Sequence, residues 1–203
     1  MSLANQAVKQ EAGYGMNSPL LSGLLEQISE QDYHEIMDVV PANQGVIDLF
    51  SRFRCKLYLP GCLDALRKLD SQVLDTPTKR QRALVKTIGL YKNKKASLDV
   101  ILLWDLPNYL DKTILSSLVE YLLPHIRKQT LIHCYIHTRQ SMPAVPGNYR
   151  YIDGKVYVHH PQAETITCPA YYQEVLHRMM APFTVQRSIL LSNGLQEYVL
   201  HTR

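Results

Sequence analysis

The sequence predicts an α/β protein with a doubly wound, mostly parallel sheet and a C-terminal antiparallel hairpin. Strand-like and helix-like segments alternate through about residue 138, which is typical of parallel strands joined by helices. The apolar run from Val100 to Trp104 has the length and composition of a strand that is buried on both faces. The last segment changes in character, because Asn193-Gly194 marks a tight turn between two strand-like runs.

The first half of the chain carries alternating helix and strand patterns. A helix begins after Asn17-Ser18, a typical helix-start pair, and presents leucines on one face. The predicted elements, in chain order, are a helix within 19–31, a strand at 34–40, a helix at 45–53, a strand at 54–61, a helix at 62–74 and a helix at the start of 76–98.

The second half begins with the strand 98–104 and adds two hairpins. Asp111 is predicted to cap the next helix, and Asp153-Gly154 suits a type I′ turn. The predicted elements are a strand at 98–104, a helix at 111–123, a strand at 129–138, a hairpin at 148–160, a helix at 169–180 and a hairpin at 183–202.

Composition indicates one globular domain. The chain has 203 residues, of which 46% are hydrophobic and 20% charged, so it is long enough for one sizeable core. We expect a flexible segment over 1–17 and a single domain over 18–203, with 138–168 as an inserted loop and hairpin. The four cysteines lack paired spacing, and no signal peptide or run long enough to span a membrane is present. A cytoplasmic protein with reduced thiols is therefore expected.

A basic segment covers residues 79–95 and contains no acidic residue. A solvated helix face is the favoured interpretation, followed by a surface for an acidic protein or a membrane, and then by nucleic acid. The net charge of +4 does not by itself imply nucleic acid. Its cationic residues are Lys79, Arg80, Arg82, Lys86, Lys92, Lys94 and Lys95.

The hairpin within 138–168 is rich in residue types that anchor interfaces. Tyrosine and arginine are enriched at binding hot spots, so this segment is either a protein interface or a lid over a substrate. The residues concerned are Tyr149, Arg150, Tyr151, Tyr157 and His159. No metal site is predicted, since the histidine spacing supplies no set of three or four convergent ligands.

The order of elements resembles the class I S-adenosylmethionine-dependent methyltransferases. Residues 98–137 are similar to that family's fourth strand, following helix and fifth strand, and 183–200 are similar to its closing hairpin. The resemblance implies a doubly wound sheet of seven strands and an ancestral methyl-transfer activity. It covers roughly residues 33–200 and rests on topology and hydrophobic pattern.

The cofactor motif of the family is degenerate here. In the stretch "IMDVVPANQG", Asp38 matches the acidic residue of the motif, whereas Val40 and Ala42 occupy the first two glycine positions. The third position falls at Gln44 or, with a shift of one residue, at Gly45. Glycine lets the backbone approach a ligand closely, so side chains at these positions obstruct or reroute the loop.

The family's second cofactor landmark is an acid at the end of the second strand, which accepts hydrogen bonds from the ribose hydroxyls. That position is Pro60 or Gly61 here, and Asp64 follows a turn later. Neither landmark is intact, so the resemblance implies that cofactor binding is weakened, altered or lost.

Two groups of candidate site residues follow from the resemblance. Asp105, Asn108 and Tyr109 come directly after strand four, where the family places acceptor-binding or catalytic groups. Asp38, Asn43 and Gly45 would line the cofactor. The alternative for both groups is structural, namely turns capped by Asp and Asn side chains and a packed tyrosine ring.

Three hypotheses for function result. The favoured one is a non-catalytic interaction or regulatory protein that binds no cofactor and meets a protein partner through 138–168 or 79–95. The first alternative is an active S-adenosylmethionine-dependent methyltransferase of unknown acceptor. The second is a nucleic-acid-associated factor that uses 79–95, with nucleic acid the less favoured partner.

Overall fold

The computed structural model describes residues 14–28, 30–42, 44–90, 97–169, 171 and 173–202. Its helices are α1 (Pro19–Gln27), α2 (Gln44–Phe50), α3 (Leu63–Leu66), α4 (Pro77–Ile88), α5 (Lys112–Leu122) and α6 (Gln173–Met179). Its strands are β1 (Tyr14–Met16), β2 (Tyr33–Asp38), β3 (Arg54–Tyr58), β4 (Leu98–Trp104), β5 (Ile126–His137), β6 (Ser141–Pro143), β7 (Asn148–Ile152), β8 (Lys155–His159), β9 (Thr165–Thr167), β10 (Phe183–Leu190) and β11 (Leu195–Thr202). Within these ranges, no helix combines the length and apolar character needed to cross a bilayer.

A central sheet of mixed direction organises the chain. Its strand order is β10-β11-β5-β4-β2-β3. The pairs β2/β3, β2/β4 and β4/β5 are parallel, whereas β11 pairs antiparallel with both β5 and β10. The resemblance implies a sheet of seven strands, whereas the central sheet has six strands in the described part of the chain.

Helices cover both faces of this sheet. Strand β4 is almost entirely buried, as expected for a central strand that helices sandwich. Right-handed crossovers place α2 on one face and α5 on the other, because β3 and β5 lie on opposite sides of β2 and β4. Helix α1 packs against β10 and β11, and α5 packs against α4 and α6.

A second, smaller sheet has the order β1-β8-β7 and contains the inserted hairpin. The hairpin turns at Asp153 and Gly154, whose φ angles of 49° and 78° suit a type I′ turn. Residues 14–16 were predicted to belong to a flexible segment, but they form β1. They do so because they pair with β8 and bury Met16. Residues 1–13 of that predicted segment lie outside the described residues.

Local signals in the sequence locate some elements well and others poorly. The predicted strand 98–104 is β4, and the Asp111 carboxylate accepts hydrogen bonds from the Thr113 and Ile114 backbone N–H groups at the start of α5. The predicted helix 62–74 is wrong beyond its first turn. There Asp70 begins a turn, because its carboxylate accepts the backbone N–H of Gln72 at 2.7 Å instead of leaving that group to a helix.

Candidate functional site

The end of β2 meets the end of β4 through a buried carboxyl group. Asp38 is fully buried, and its Oδ1 accepts the indole N–H of Trp104 at 2.7 Å and the backbone N–H of Val40 at 3.1 Å. Its Oδ2 has no hydrogen-bond partner. Burial raises the pKa of Asp38 to about 7, although these two hydrogen bonds act in the opposite direction.

Trp104 is the centre of an aromatic cluster above the strand ends. Its φ of 51° lies in the left-handed region, which is uncommon for a residue with a side chain and turns the chain sharply after β4. The indole stacks on the ring of Tyr149, with centroids 4.9 Å apart and planes 12° apart. Tyr149 in turn stacks on Tyr135 at 5.5 Å, and His133 meets Trp104 edge-on at 6.0 Å. All four side chains are buried.

Asp105 ties the inserted segment to the end of β4. Its Oδ2 accepts the backbone N–H of Gly147 at 3.0 Å, while Oδ1 has no hydrogen-bond partner. The Tyr149 hydroxyl lies beside this carboxyl group but does not complete a hydrogen bond. Burial raises the pKa of Asp105 to about 7. A Cβ at Gly147 would approach Val158 Cγ2 to 2.6 Å, so the close approach of this loop requires glycine.

Asn108 and Tyr109 bond to the backbone of the chain itself. The Asn108 amide donates to the carbonyl oxygens of Asp105 and Tyr135, both at 2.8 Å, and its Oδ1 accepts the backbone N–H of His137 at 2.9 Å. The Tyr109 hydroxyl is within hydrogen-bond distance of two carbonyl oxygens, at 3.1 Å from Pro143 and 2.9 Å from Val145. These contacts hold the start of the inserted segment against the sheet.

Gly45 lies in the first turn of α2 and is not one of the residues of the aromatic cluster. It lines a groove of about 490 Å³ between α1, α2 and the turn of the inserted hairpin, here called the hairpin groove. Asn43, which was predicted to line a cofactor with Gly45, lies outside the described residues. The hairpin groove is lined by Ser22, Leu25, Glu26, Gly45, Asp48, Leu49, Arg52 and 150–154.

The loops after β2 and β3 lie against each other. Gly61 has a φ of 55°, and a Cβ built on it would lie 3.6 Å from the Cα atom of Pro41. Asp64, the nearest acid after β3, is exposed and forms an ion pair with Arg67 at 3.3 Å.

The comparisons with known proteins agree with this architecture. No protein-family model and no curated protein matches the sequence. A crystal structure of a S-adenosylmethionine-dependent methyltransferase from Clostridium acetobutylicum superposes with a TM-score of 0.50 at 11% identity, covering 90% of this chain and 89% of that one. The chain has a class I methyltransferase-like fold.

Two further solved structures resemble this methyltransferase-like chain. Streptomyces venezuelae DesVI has a TM-score of 0.48 and 10% identity, with 96% of this chain and 92% of that chain covered. The glycopeptide N-methyltransferase MtfA in complex with S-adenosyl-L-homocysteine has a TM-score of 0.47 and 10% identity, with 96% and 87% covered.

The methyltransferase-like fold brings some predicted site residues together and separates others. Asp38 is the last residue of β2 and Asp105 directly follows the neighbouring strand β4, and Asp38 bonds to the Trp104 indole. Gly45 instead faces the hairpin groove. Tyr149 was predicted to be a surface anchor on the hairpin, but it is buried in the aromatic cluster because its ring packs on Trp104.

A buried polar network of the methyltransferase-like domain was not found from the sequence. Glu197 on β11 accepts hydrogen bonds from the Ser18 hydroxyl and from the backbone N–H of Leu21 at 2.8 Å, in the first turn of α1. His133 Nε2 lies 3.0 Å from the same carboxylate. A charged residue inside the apolar strand 195–202 was the available signal, since buried charges are rare without partners.

Histidines and cysteines do not gather into a metal site in the part of the chain that the structure describes. His133 bonds to Glu197, and the pKa of His137 is lowered to about 4 by its burial and by the nearby His160 and Arg139. The four cysteines are free thiols.

Proposed function

We propose that this methyltransferase-like protein performs no methyl transfer and acts as an interaction or regulatory module. The observation that carries this proposal is the bond between Asp38 and Trp104. In the resembling family the acid at this position belongs to the cofactor motif, whereas here the carboxyl group is fully buried and holds an indole ring of its own chain.

The packing around this bond supports the same proposal. Tyr149 covers the Trp104 ring, so aromatic side chains occupy the volume above the ends of β2 and β4. In open α/β sheets that volume is where ligands sit. The rings are held by stacking and by burial, which together favour a permanently filled cleft.

The loops that would hold S-adenosylmethionine also fit it poorly. Val40 is buried at the first glycine position of the motif, so its side chain takes up room that the family leaves open. A side chain at Gly61 would touch the backbone of Pro41, which supports the proposal that little room is left between the two loops for a ribose. We therefore propose that the protein uses no cofactor.

A partner is proposed for one of two surfaces. The first is the 138–168 segment, on which His159 is exposed and Arg150 and Tyr157 are half-buried. The second is the basic segment, where Lys79, Arg82 and Lys86 are exposed on α4. Asp75, just before α4, forms an ion pair with Lys79 at 2.8 Å, and α4 itself carries no acid, so its remaining cations suit an acidic protein surface.

One observation favours the alternative of an active methyltransferase. The pKa of Asp105 is raised to about 7, and its Oδ1 has no hydrogen-bond partner. A general base works best when its pKa lies near the operating pH. In this alternative Asp38, Asn43 and Gly45 line the cofactor, and Asp105, Asn108 and Tyr109 face the acceptor.

Calorimetry with S-adenosylmethionine and S-adenosylhomocysteine tests the proposal. We expect no saturable heat and no change in melting temperature at ligand concentrations of about 1 mM, since a ligand that binds the folded state stabilises it. An active methyltransferase of the same fold, titrated in parallel, is the positive control. Saturable binding with a Kd below about 100 µM would overturn the proposal in favour of the active enzyme.

A further inference from the structure

We propose that a groove between α4, α5 and α6 binds a small ligand through a phosphate monoester group. This three-helix groove is lined by the cationic residues Arg80, Lys112 and Arg178 and by hydroxyl-bearing residues of α5. It lies on the face of the sheet that carries α5, opposite the aromatic cluster. Arg80 also belongs to the basic segment, but the inference does not rest on the absence of methyl transfer or on a protein partner.

Within the part of the chain that the structure describes, ion pairs do not neutralise the cations of the three-helix groove. Arg80, Lys112 and Arg178 have no carboxylate within ion-pairing distance among the residues that the structure describes. One acid, Glu120, also lines the groove. Three cations and one carboxylate leave an excess of two positive charges, which matches a phosphate dianion.

Arg80 is held in place before any ligand arrives. Its Nε donates to the Ser117 hydroxyl at 2.9 Å, and its Nη1 donates to the carbonyl oxygen of Leu74 at 2.9 Å. A guanidinium group has five N–H donors, so three remain for a ligand. Fixing the guanidinium in advance lowers the entropy lost when the ligand binds.

Hydroxyl groups complete the set of donors. Thr113, Ser116 and Ser117 all line the groove, on the same helix as Lys112. Phosphate oxygens accept bonds from hydroxyl, ammonium and guanidinium groups together. The cavity of about 420 Å³ is larger than a phosphate ion, which leaves room for the remainder of a small molecule.

Two double variants with equal loss of charge test the site. Lys112→Gln/Arg178→Gln removes two exposed cations from the groove, and Lys128→Gln/Arg187→Gln removes two exposed cations from strands β5 and β10. Inorganic phosphate is titrated into each protein by calorimetry, up to about 10 mM, and sodium chloride of equal ionic strength is the blank.

We expect the groove variant to bind phosphate roughly tenfold more weakly and the control variant to bind within about twofold of the wild type. Glu120→Gln is expected to bind phosphate more tightly. If the wild type shows no saturable binding of phosphate, or if both double variants lose phosphate affinity equally, the proposed site is wrong.

Nuclear magnetic resonance of the unmodified protein gives a second measurement that does not depend on any variant. Phosphate should shift the amide signals of Thr113, Ser116 and Arg178, and shifts located only elsewhere would contradict the proposal. Phosphoserine and ribose 5-phosphate, titrated in parallel, distinguish a modified side chain from a sugar phosphate as the source of the group. Tighter binding of either one than of inorganic phosphate supports a ligand larger than the ion.

Discussion

The Asp38 carboxyl group and the Trp104 indole N–H are 2.7 Å apart and join the ends of two parallel strands. Asp38 is fully buried, and only one of its oxygens is hydrogen-bonded. Removing a charge from water is costly unless partners replace the water, so this carboxyl group retains its proton to an unusually high pH. The burial of this carboxyl group therefore couples the stability of the fold to pH.

The contribution of Asp38 to the free energy of unfolding is expected to fall as pH rises from about 4 to about 7. The pKa of Asp38 is about 7 in the folded protein, against about 3.9 in an unfolded chain. Between these values the folded protein keeps a proton that the unfolded chain releases, so each pH unit costs about 1.4 kcal/mol for this group. Asp105, whose folded pKa is also about 7, acts in the same direction, whereas His137, whose pKa is lowered to about 4, acts in the opposite direction.

Asp38→Asn isolates the contribution of one carboxyl group. The asparagine keeps an acceptor for the indole N–H and cannot ionise, so we expect the slope of the unfolding free energy against pH to become more positive by about 1.4 kcal/mol per pH unit between pH 4 and pH 7. Urea unfolding between pH 4 and pH 8 measures this, with Trp104, the only tryptophan, as the fluorescent probe. If the free energy of unfolding depends on pH in the same way in Asp38→Asn and in the wild type, Asp38 does not couple stability to pH.

Tyr149→Ala is expected to destabilise the protein by about 3–5 kcal/mol, because it removes a buried ring stacked on Trp104 and Tyr135. Tyr149→Phe is the matched control. Its effect should lie within about 1 kcal/mol of zero, since the Tyr149 hydroxyl has no hydrogen-bond partner. Chemical denaturation compares the two, and equal losses would show that the hydroxyl, and not the ring, stabilises the cluster.

Protonation of Glu197 is expected to lower the free energy of unfolding at acidic pH. Burial raises the pKa of Glu197, but hydrogen bonds from His133, Ser18 and Leu21 outweigh burial and lower it overall. A lowered pKa gives stability that is present above the unfolded value and is lost as pH falls through the folded one.

Glu197→Ala removes that acceptor. We expect a loss of about 3–5 kcal/mol near pH 6, because the buried groups that donate to the carboxylate lose their partner. The difference from the wild type should shrink towards pH 3. Unfolding curves at the two pH values check this, and a difference that is independent of pH would mean that the loss comes from packing alone.

The elements that could be predicted from the sequence are those with local causes. The apolar run of β4, the Asp111 cap of α5 and the Asp153-Gly154 turn each depend on residues within a few positions. The helix predicted at 62–74 failed for a local reason too, because a side chain competed for the backbone. The apolar pattern alone does not reveal such competition.

The aromatic cluster could not be predicted because its causes are distant in sequence. Trp104 was interpreted as the last residue of an apolar strand, and nothing nearby indicates its left-handed φ or its bond to a carboxyl group 66 positions away. Tyr149 lies on a hairpin in which apolar and polar residues alternate, and this alternation predicts one face towards the protein and one towards solvent. Which face turns inward depends on the packing of the hairpin against the body of the domain.

Asn108 offers a test of whether the residues after β4 hold the fold or serve an acceptor. Its amide nitrogen donates to two carbonyl oxygens and its oxygen accepts one backbone N–H. Asn108→Asp has nearly the same shape but places an acceptor against the carbonyl oxygens of Asp105 and Tyr135. We expect it to lose at least as much stability as Asn108→Ala, about 2–4 kcal/mol, because buried polar groups are left without partners.

A low pH should reverse part of that loss, since a protonated aspartate regains one donor. Thermal unfolding of Asn108→Asp and Asn108→Ala at pH 4 and pH 7 measures the effect. A structural role predicts that the aspartate variant recovers at pH 4 relative to the alanine variant. If both variants are as stable as the wild type at both pH values, the three hydrogen bonds contribute nothing and Asn108 is free to serve an acceptor.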